Sequence, residues 1–143
     1  MLALVRRRIF MKLLTCVMHL HCVHRPFPRM NDDEWKNYCN KISEMGKYLE
    51  DEGVPLAYHH HMGTVIETQK DTERLLENSH DSVKLTLDTG HLLFAQGDSK
   101  KILNDFSERL IHIHCKDIRK NVLENSLKND LSFRGAFLEG AFT

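Results

Sequence analysis

The first 31 residues contain no aspartate or glutamate, and six basic side chains stand there unopposed: Arg6, Arg7, Arg8, Lys12, Arg25 and Arg29. The formal net charge of zero therefore conceals a divided chain, in which the remaining residues hold fourteen basic side chains against twenty acidic ones. A mildly acidic body without a basic face excludes a nucleic-acid groove, which needs clustered Lys and Arg to neutralise phosphates. Also missing is any apolar run approaching the roughly 20 residues of a bilayer span, so the sequence offers no membrane helix. The four cysteines, Cys16, Cys22, Cys39 and Cys115, form no CxxC pair and no zinc-knuckle spacing. That spacing argues against a structural zinc and fits a reducing, cytoplasmic compartment, with Cys115 a thiol packed in an apolar strand.

What is present is the composition of an ordinary globular protein, and 143 residues suffice for one domain with a real core. The amino terminus is the least specified part. Arg6, Arg7 and Arg8 ahead of Leu13 to Val23 are loosely signal-like, but His19 and His21 interrupt the apolar stretch and no small-residue cleavage site comes after them. Residues 1–25 read as an unmatched leader.

From Asn31 the pattern sharpens. Asn31 as N-cap with Glu34 three residues on makes a capping box, and Asp32 and Asp33 complement the helix dipole. Apolar residues at Trp35, Tyr38, Ile42, Met45, Tyr48 and Leu49 recur at helical spacing, and Gly53 supplies a left-handed stop, so a helix over about 32–51 is predicted. Val54 to His59 reads as a strand. Thr68 with Asp71 caps a second helix that packs Leu75 and Leu76 and ends near Asn78. Val83 to Asp88 alternates as a strand, Asp88 to His91 leave it as a turn, and Gly97 and Asp98 open a third helix carrying Ile102, Leu103 and Phe106. Leu110 to Cys115 forms a third strand, residues 119–129 a fourth helix burying Val122, Leu123 and Leu127, and Asp130 caps a fifth with Phe133, Phe137 and Leu138. Trp35 and the phenylalanines read as core.

Strand ends at His59, Asp88 and His114 succeed one another at the βα period, with one helix between each pair, which predicts an α/β fold with parallel strands. Right-handed crossovers bring the three carboxyl ends to one edge, where α/β proteins place their sites. Alternation assigns faces. Tyr58, Leu85, Leu87, Ile111 and Ile113 turn outward to covering helices; His59, His61, Thr86, Asp88, His112, His114 and Lys116 turn inward; His60 points to the helices or the rim. Imidazoles and a carboxylate converging in this way offer the N/O donor set of a divalent cation such as Mn²⁺, Co²⁺ or Zn²⁺. His112 also reads as a core histidine or one supporting a ligand, His91 as a loop cap, and Lys116 with Asp117 as a surface ion pair.

The stretches AYHHHMGTVIET, LDTGHLLFAQGD and HIHCKD, with NDDEWKNY before them, resemble the inosose dehydratases of inositol catabolism, within the xylose isomerase-like (β/α)₈ barrel superfamily. The likeness runs from about residue 26 to the carboxyl terminus. DTGH and HxHxKD are similar to motifs of the wider superfamily, whereas HHHMGT, where relatives generally carry a Glu, points to the dehydratases. The resemblance implies a hydro-lyase that uses Mn²⁺ or Co²⁺ and takes water from a cyclic polyol ketone, scyllo-inosose, to give a trihydroxycyclohexanedione. It implies His59, Asp88 and His114 as metal ligands, and His61, His91, His112 and Lys116 as substrate contacts, with His61, His91 and Lys116 carrying the catalytic proton chemistry, the proton carrier for the departing hydroxyl left open between His61 and His91, and the general base unassigned. A sugar or sugar-phosphate isomerase or epimerase of the same superfamily, and a fragment without activity, are the alternatives.

A closed barrel takes about 250 residues, whereas three to four βα units are legible in 26–143. The expectation is a partial TIM barrel from a truncated reading frame, with two unpaired sheet edges that favour aggregation or association with a partner.

Overall fold

The computed structural model describes residues 29–143, so the expected leader at 1–25 lies outside the described residues. The first helix, α1 (Asp32–Asp51), starts on the expected capping box: Asn31 accepts from the Glu34 N–H at 3.0 Å and its own N–H donates to the Glu34 carboxylate at 2.9 Å. Such a cap contributes about 1 kcal/mol. The helix ends on Gly53 at φ 72°, with Gly53 and Val54 N–H groups closing on Glu50 and Leu49. Strand β1 comes next (Leu56–His59), two residues shorter at its start than the apolar run suggests. Helix α2 (Gln69–Asn78) opens on a second capping box from Thr68 and Asp71, and β2 spans Val83–Asp88.

Between Asp88 and Gly97, where the sequence reading assigns no helix, the chain forms a short one, α3 (Thr89–Phe94), capped by Asp88 itself. Helix α4 (Ser99–Phe106) is capped by Asp98, a 3₁₀ turn (Ser107–Arg109) leads into β3 (Leu110–His114), and α5 (Lys120–Lys128) and α6 (Phe133–Leu138) complete the order. The cap of α6 is Ser132, not Asp130, which instead takes a left-handed φ of 50° in the preceding turn.

The three strands are parallel in the order β1-β2-β3, as expected from the βα period. His59 pairs with Thr86, and Asp88 pairs with His114 after a register shift between Leu85 and Thr86. On the outer face Leu85 and Leu87 pack with Leu76, Leu92 and Ile102 beneath α2, α3 and α4. Helix α1 seats Trp35 and Cys39 against Ile66 and Leu75. It approaches β2 so closely that a Cβ on Gly46 would stand 2.8 Å from Ser82 Oγ.

A third cluster, Phe94, Ile118, Ala136 and Ala141 with Phe133 and Phe142, packs α3, α5 and α6 together. An antiparallel bridge from Ile118 to Phe142 ties it down.

Several expected core positions are exposed. Ile111 and Ile113 are 44% and 45% exposed and Cys115 lies beyond the end of β3 in solvent, because the helices that cover Leu85 and Leu87 do not extend over this part of β3. Leu127, Phe137 and Leu138 are likewise exposed; within α5 the buried position is Ser126. Among the described residues no helix is long and apolar enough to cross a membrane.

Candidate metal centre

Asp88 is fully buried and divides its two oxygens between two tasks. Oδ1 accepts from the Gly90 and His91 N–H groups at 3.0 Å each, which caps α3 and fixes the carboxylate plane. Oδ2 faces the strand ends, where it meets His59 Nε2 at 3.2 Å, His114 Nδ1 at 3.3 Å and Lys116 Nζ at 2.5 Å. Burial alone would raise the Asp88 carboxyl. The hydrogen bonds from His59, Lys116 and the His91 backbone outweigh it and hold the group well below the usual carboxylate range, so an anion is kept in a dry position.

The imidazoles are packed as a ring cluster. His59 stands 4.9 Å from His114, 5.5 Å from His91 and 5.7 Å from His61 by centroids, and His61 and His91 approach to 3.7 Å. Phe133 of α6 lies 5.5 Å from His61 and 5.0 Å from His91 and walls off that side. Burial, and then the neighbouring His61, lower His91 to about 2, and burial with His59 lowers His114, so both rings are neutral near pH 7. Neutral imidazole is the form that binds metal.

His59, Asp88 and His91 present ligand atoms that all lie within 4.8 Å of one another. Nδ1 of His91 is buried without a hydrogen-bond partner. Two imidazoles around an ionised carboxylate, with a buried ring nitrogen unsatisfied, fit a divalent cation in both charge and donor type. Relative to the expected ligands His59, Asp88 and His114, the structure adds His91 to the group and keeps His114 on the same Asp88 oxygen.

The other expected positions divide. His61 sits beside His91, its Nδ1 2.7 Å from the Met62 carbonyl oxygen. Lys116 reaches Asp88 and forms no surface pair with Asp117. His112 shares the inner face, opposite Thr86, but its ring contacts His114 at 5.1 Å and is exposed, which overturns its reading as a core histidine.

His60 is the residue that sequence reasoning under-uses. It is fully buried, and its Nε2 accepts the Asp88 N–H at 3.2 Å, so it fixes the backbone that carries the carboxylate. Burial, and then His59, lower it to about 4. Thr89 is missed in the same way: it accepts the Lys116 N–H at 3.0 Å and donates to the Lys116 carbonyl at 2.9 Å, joining the start of α3 to the segment after β3. The only sequence signal for either is adjacency to a ligand position.

The family model of the xylose isomerase-like TIM barrel matches residues 11–140. The chain belongs to this family. Its similar relatives include the rhizopine catabolism protein MocC of Rhizobium meliloti, 40% identical over 81% of this chain and 36% of that protein. Inosose dehydratase of Lactiplantibacillus plantarum is 39% identical over 81% of this chain and 39% of its own length. The chain therefore spans under two fifths of the length of these relatives. Among solved structures, the probable 3-DHS dehydratase AsbF of Bacillus anthracis aligns with a TM-score of 0.59 at 20% identity, over 74% of this chain and 40% of that one. The IolI protein with a bound zinc atom aligns at 0.55 and 17% identity, over 66% and 36%. At those identities the likeness concerns the fold, and in that respect the family's barrel accounts for the parallel strands and outer helices of this chain.

Proposed function

We propose that this chain carries the metal- and substrate-binding part of a hydro-lyase that dehydrates scyllo-inosose, a cyclic polyol ketone, with Mn²⁺ or Co²⁺ as cofactor. The observation that carries this reading is the convergence of His59, His114 and Lys116 on one buried oxygen of Asp88, with His91 adjoining. The inosose dehydratases among its relatives give the substrate class.

His59, Asp88 and His114, with His91, would hold the cation. When bound, it supplies Lewis acidity that draws charge from the ketone oxygen. The remaining work belongs to side chains. His61, or His91 where it stays outside the ligand set, takes the α-proton, and the departing β-hydroxyl receives a proton from an imidazole or from the Lys116 ammonium, so that one water leaves for each substrate. His112, on the exposed inner face, extends the polyol contacts. Phe133 keeps water from one flank of the imidazoles, which strengthens charge interactions at the site.

The test is direct. The full chain incubated with scyllo-inosose and Mn²⁺ or Co²⁺ is expected to develop the ultraviolet absorbance of the dione, and Asp88→Asn to abolish it. A folded sample without metal-dependent absorbance rejects the dehydratase reading; ketose interconversion without water loss would assign an isomerase instead.

A further inference from the structure

Lys116 occupies the position a cation would take. Its Nζ lies 2.5 Å from Asp88 Oδ2, the same oxygen that faces His59 and His114. The two ends of this residue are held very differently. Its backbone is pinned by reciprocal hydrogen bonds with Thr89, and its Cβ packs where a Cβ on Gly90 would stand only 2.7 Å away. The side chain, in contrast, is 38% exposed while the Asp88 side chain is fully buried. The stem is therefore anchored at Cβ, and the partly exposed side chain can turn on the three methylenes beyond it without any backbone movement.

We propose that Lys116 is an exchangeable counter-ion: its ammonium neutralises Asp88 in the metal-free chain, and a divalent cation displaces it toward the substrate space. This rests on the metal-centre reading of the same residues. A divalent ion and an ammonium cannot both stand against one carboxylate oxygen, because like charges at that separation repel strongly. When no metal is bound, the ammonium gives the buried carboxylate a positive partner, which offsets part of the cost of burying it. Displacement then delivers a donor to the substrate side only when metal is present, which links metal loading to the state of the pocket. Lys116 acts here as a positioning residue for charge.

Zn²⁺ titration calorimetry on the full chain tests this, with circular dichroism to confirm folding of each variant. Lys116→Met and Lys116→Gln are expected to bind Zn²⁺ at least about tenfold more tightly than the wild type, and Lys116→Arg, which keeps the charge, to remain near it. Equal or weaker binding by the two uncharged variants overturns the exchange. In the wild type, the ¹³Cε signal of Lys116, assigned by its loss in Lys116→Gln, should move on Zn²⁺ addition; a signal that stays put while heat of binding is measured also overturns it. If wild type and uncharged variants all fold and none binds Zn²⁺, the metal-centre reading falls, and this proposal with it.

Discussion

His60 shows how much of a site can depend on a side chain that never faces it. Its ring accepts the Asp88 N–H, and because Nε2 is then an acceptor the neutral ring carries its proton on Nδ1, which is buried without a partner. His60→Phe keeps the bulk but leaves the Asp88 N–H unsatisfied, at a cost of about 1–3 kcal/mol. Denaturant unfolding should show that loss, and Zn²⁺ affinity should fall as the carboxylate loses its fixed plane. Arg109 is the other residue of this kind. Its guanidinium is buried and donates to the carbonyls of Leu76, His80 and Val83, the Ser79 hydroxyl and the Asp81 carboxylate, so it ties the α2–β2 connection to the start of β3. Desolvation lowers its guanidinium, yet the fivefold donor fork is nearly used up. Arg109→Met should lower the unfolding free energy by about 3 kcal/mol, read from urea midpoints, with little change in site geometry. Beyond the adjacency of His60 to a ligand position the sequence hardly marks either residue, because most of their partners are backbone groups about 26 to 33 positions away, and main-chain groups have no identity in a sequence.

At the level of elements, what is legible is what is decided locally. The starts and stops of α1 and α2 follow from Asn31, Glu34, Thr68, Asp71 and Gly53, all within four residues of the groups they satisfy. Alternation likewise places His59, Asp88 and His114 on one face. It cannot say whether another element reaches the opposite face, and so it puts Ile111 and Ile113 under helices that do not cover them. Helix α3 escapes the sequence for a related reason: Thr89-Gly90-His91 has poor helical propensity, and the helix exists because Asp88 caps it and Leu92 and Phe94 are drawn into two separate clusters. Gly90 is where this short helix meets the segment after β3. Gly90→Ala adds a methyl 2.7 Å from Lys116 Cβ and 2.8 Å from Phe142, more than either neighbour can yield. The expected outcome is a loss of about 1–3 kcal/mol in urea unfolding and a displaced Lys116 signal in the carbon spectrum.

For the molecule as a whole, a ligand that binds only the folded chain must stabilise it. At a free Zn²⁺ concentration 100 times the dissociation constant the gain is about 2.7 kcal/mol, which for a domain of this size corresponds to a rise of roughly 5–10 °C in Tm. Scanning calorimetry of the wild type should show that rise, and His59→Ala, which removes one donor, should show little of it. Among the described residues β1 and β3 form the two margins of the sheet, and β3 presents Ile111, His112 and Ile113 to solvent. Unpaired strand margins of this kind favour association, so sedimentation should report a weight-average mass that grows with concentration.

The slip in register between β2 and β3 has a consequence for how this architecture tolerates change. Counting on from the Leu85–Leu110 pair without the slip, Asp88 would stand beside Ile113, and the imidazole that shares its oxygen would project among the hydrocarbon side chains of the opposite face. A single irregular step thus keeps two strands in phase at their chemical end while leaving them out of phase at the other. Loss or gain of one residue between Arg109 and Ile111 would act on this protein as a frameshift acts on a gene, leaving composition almost untouched and every subsequent side chain on the wrong side.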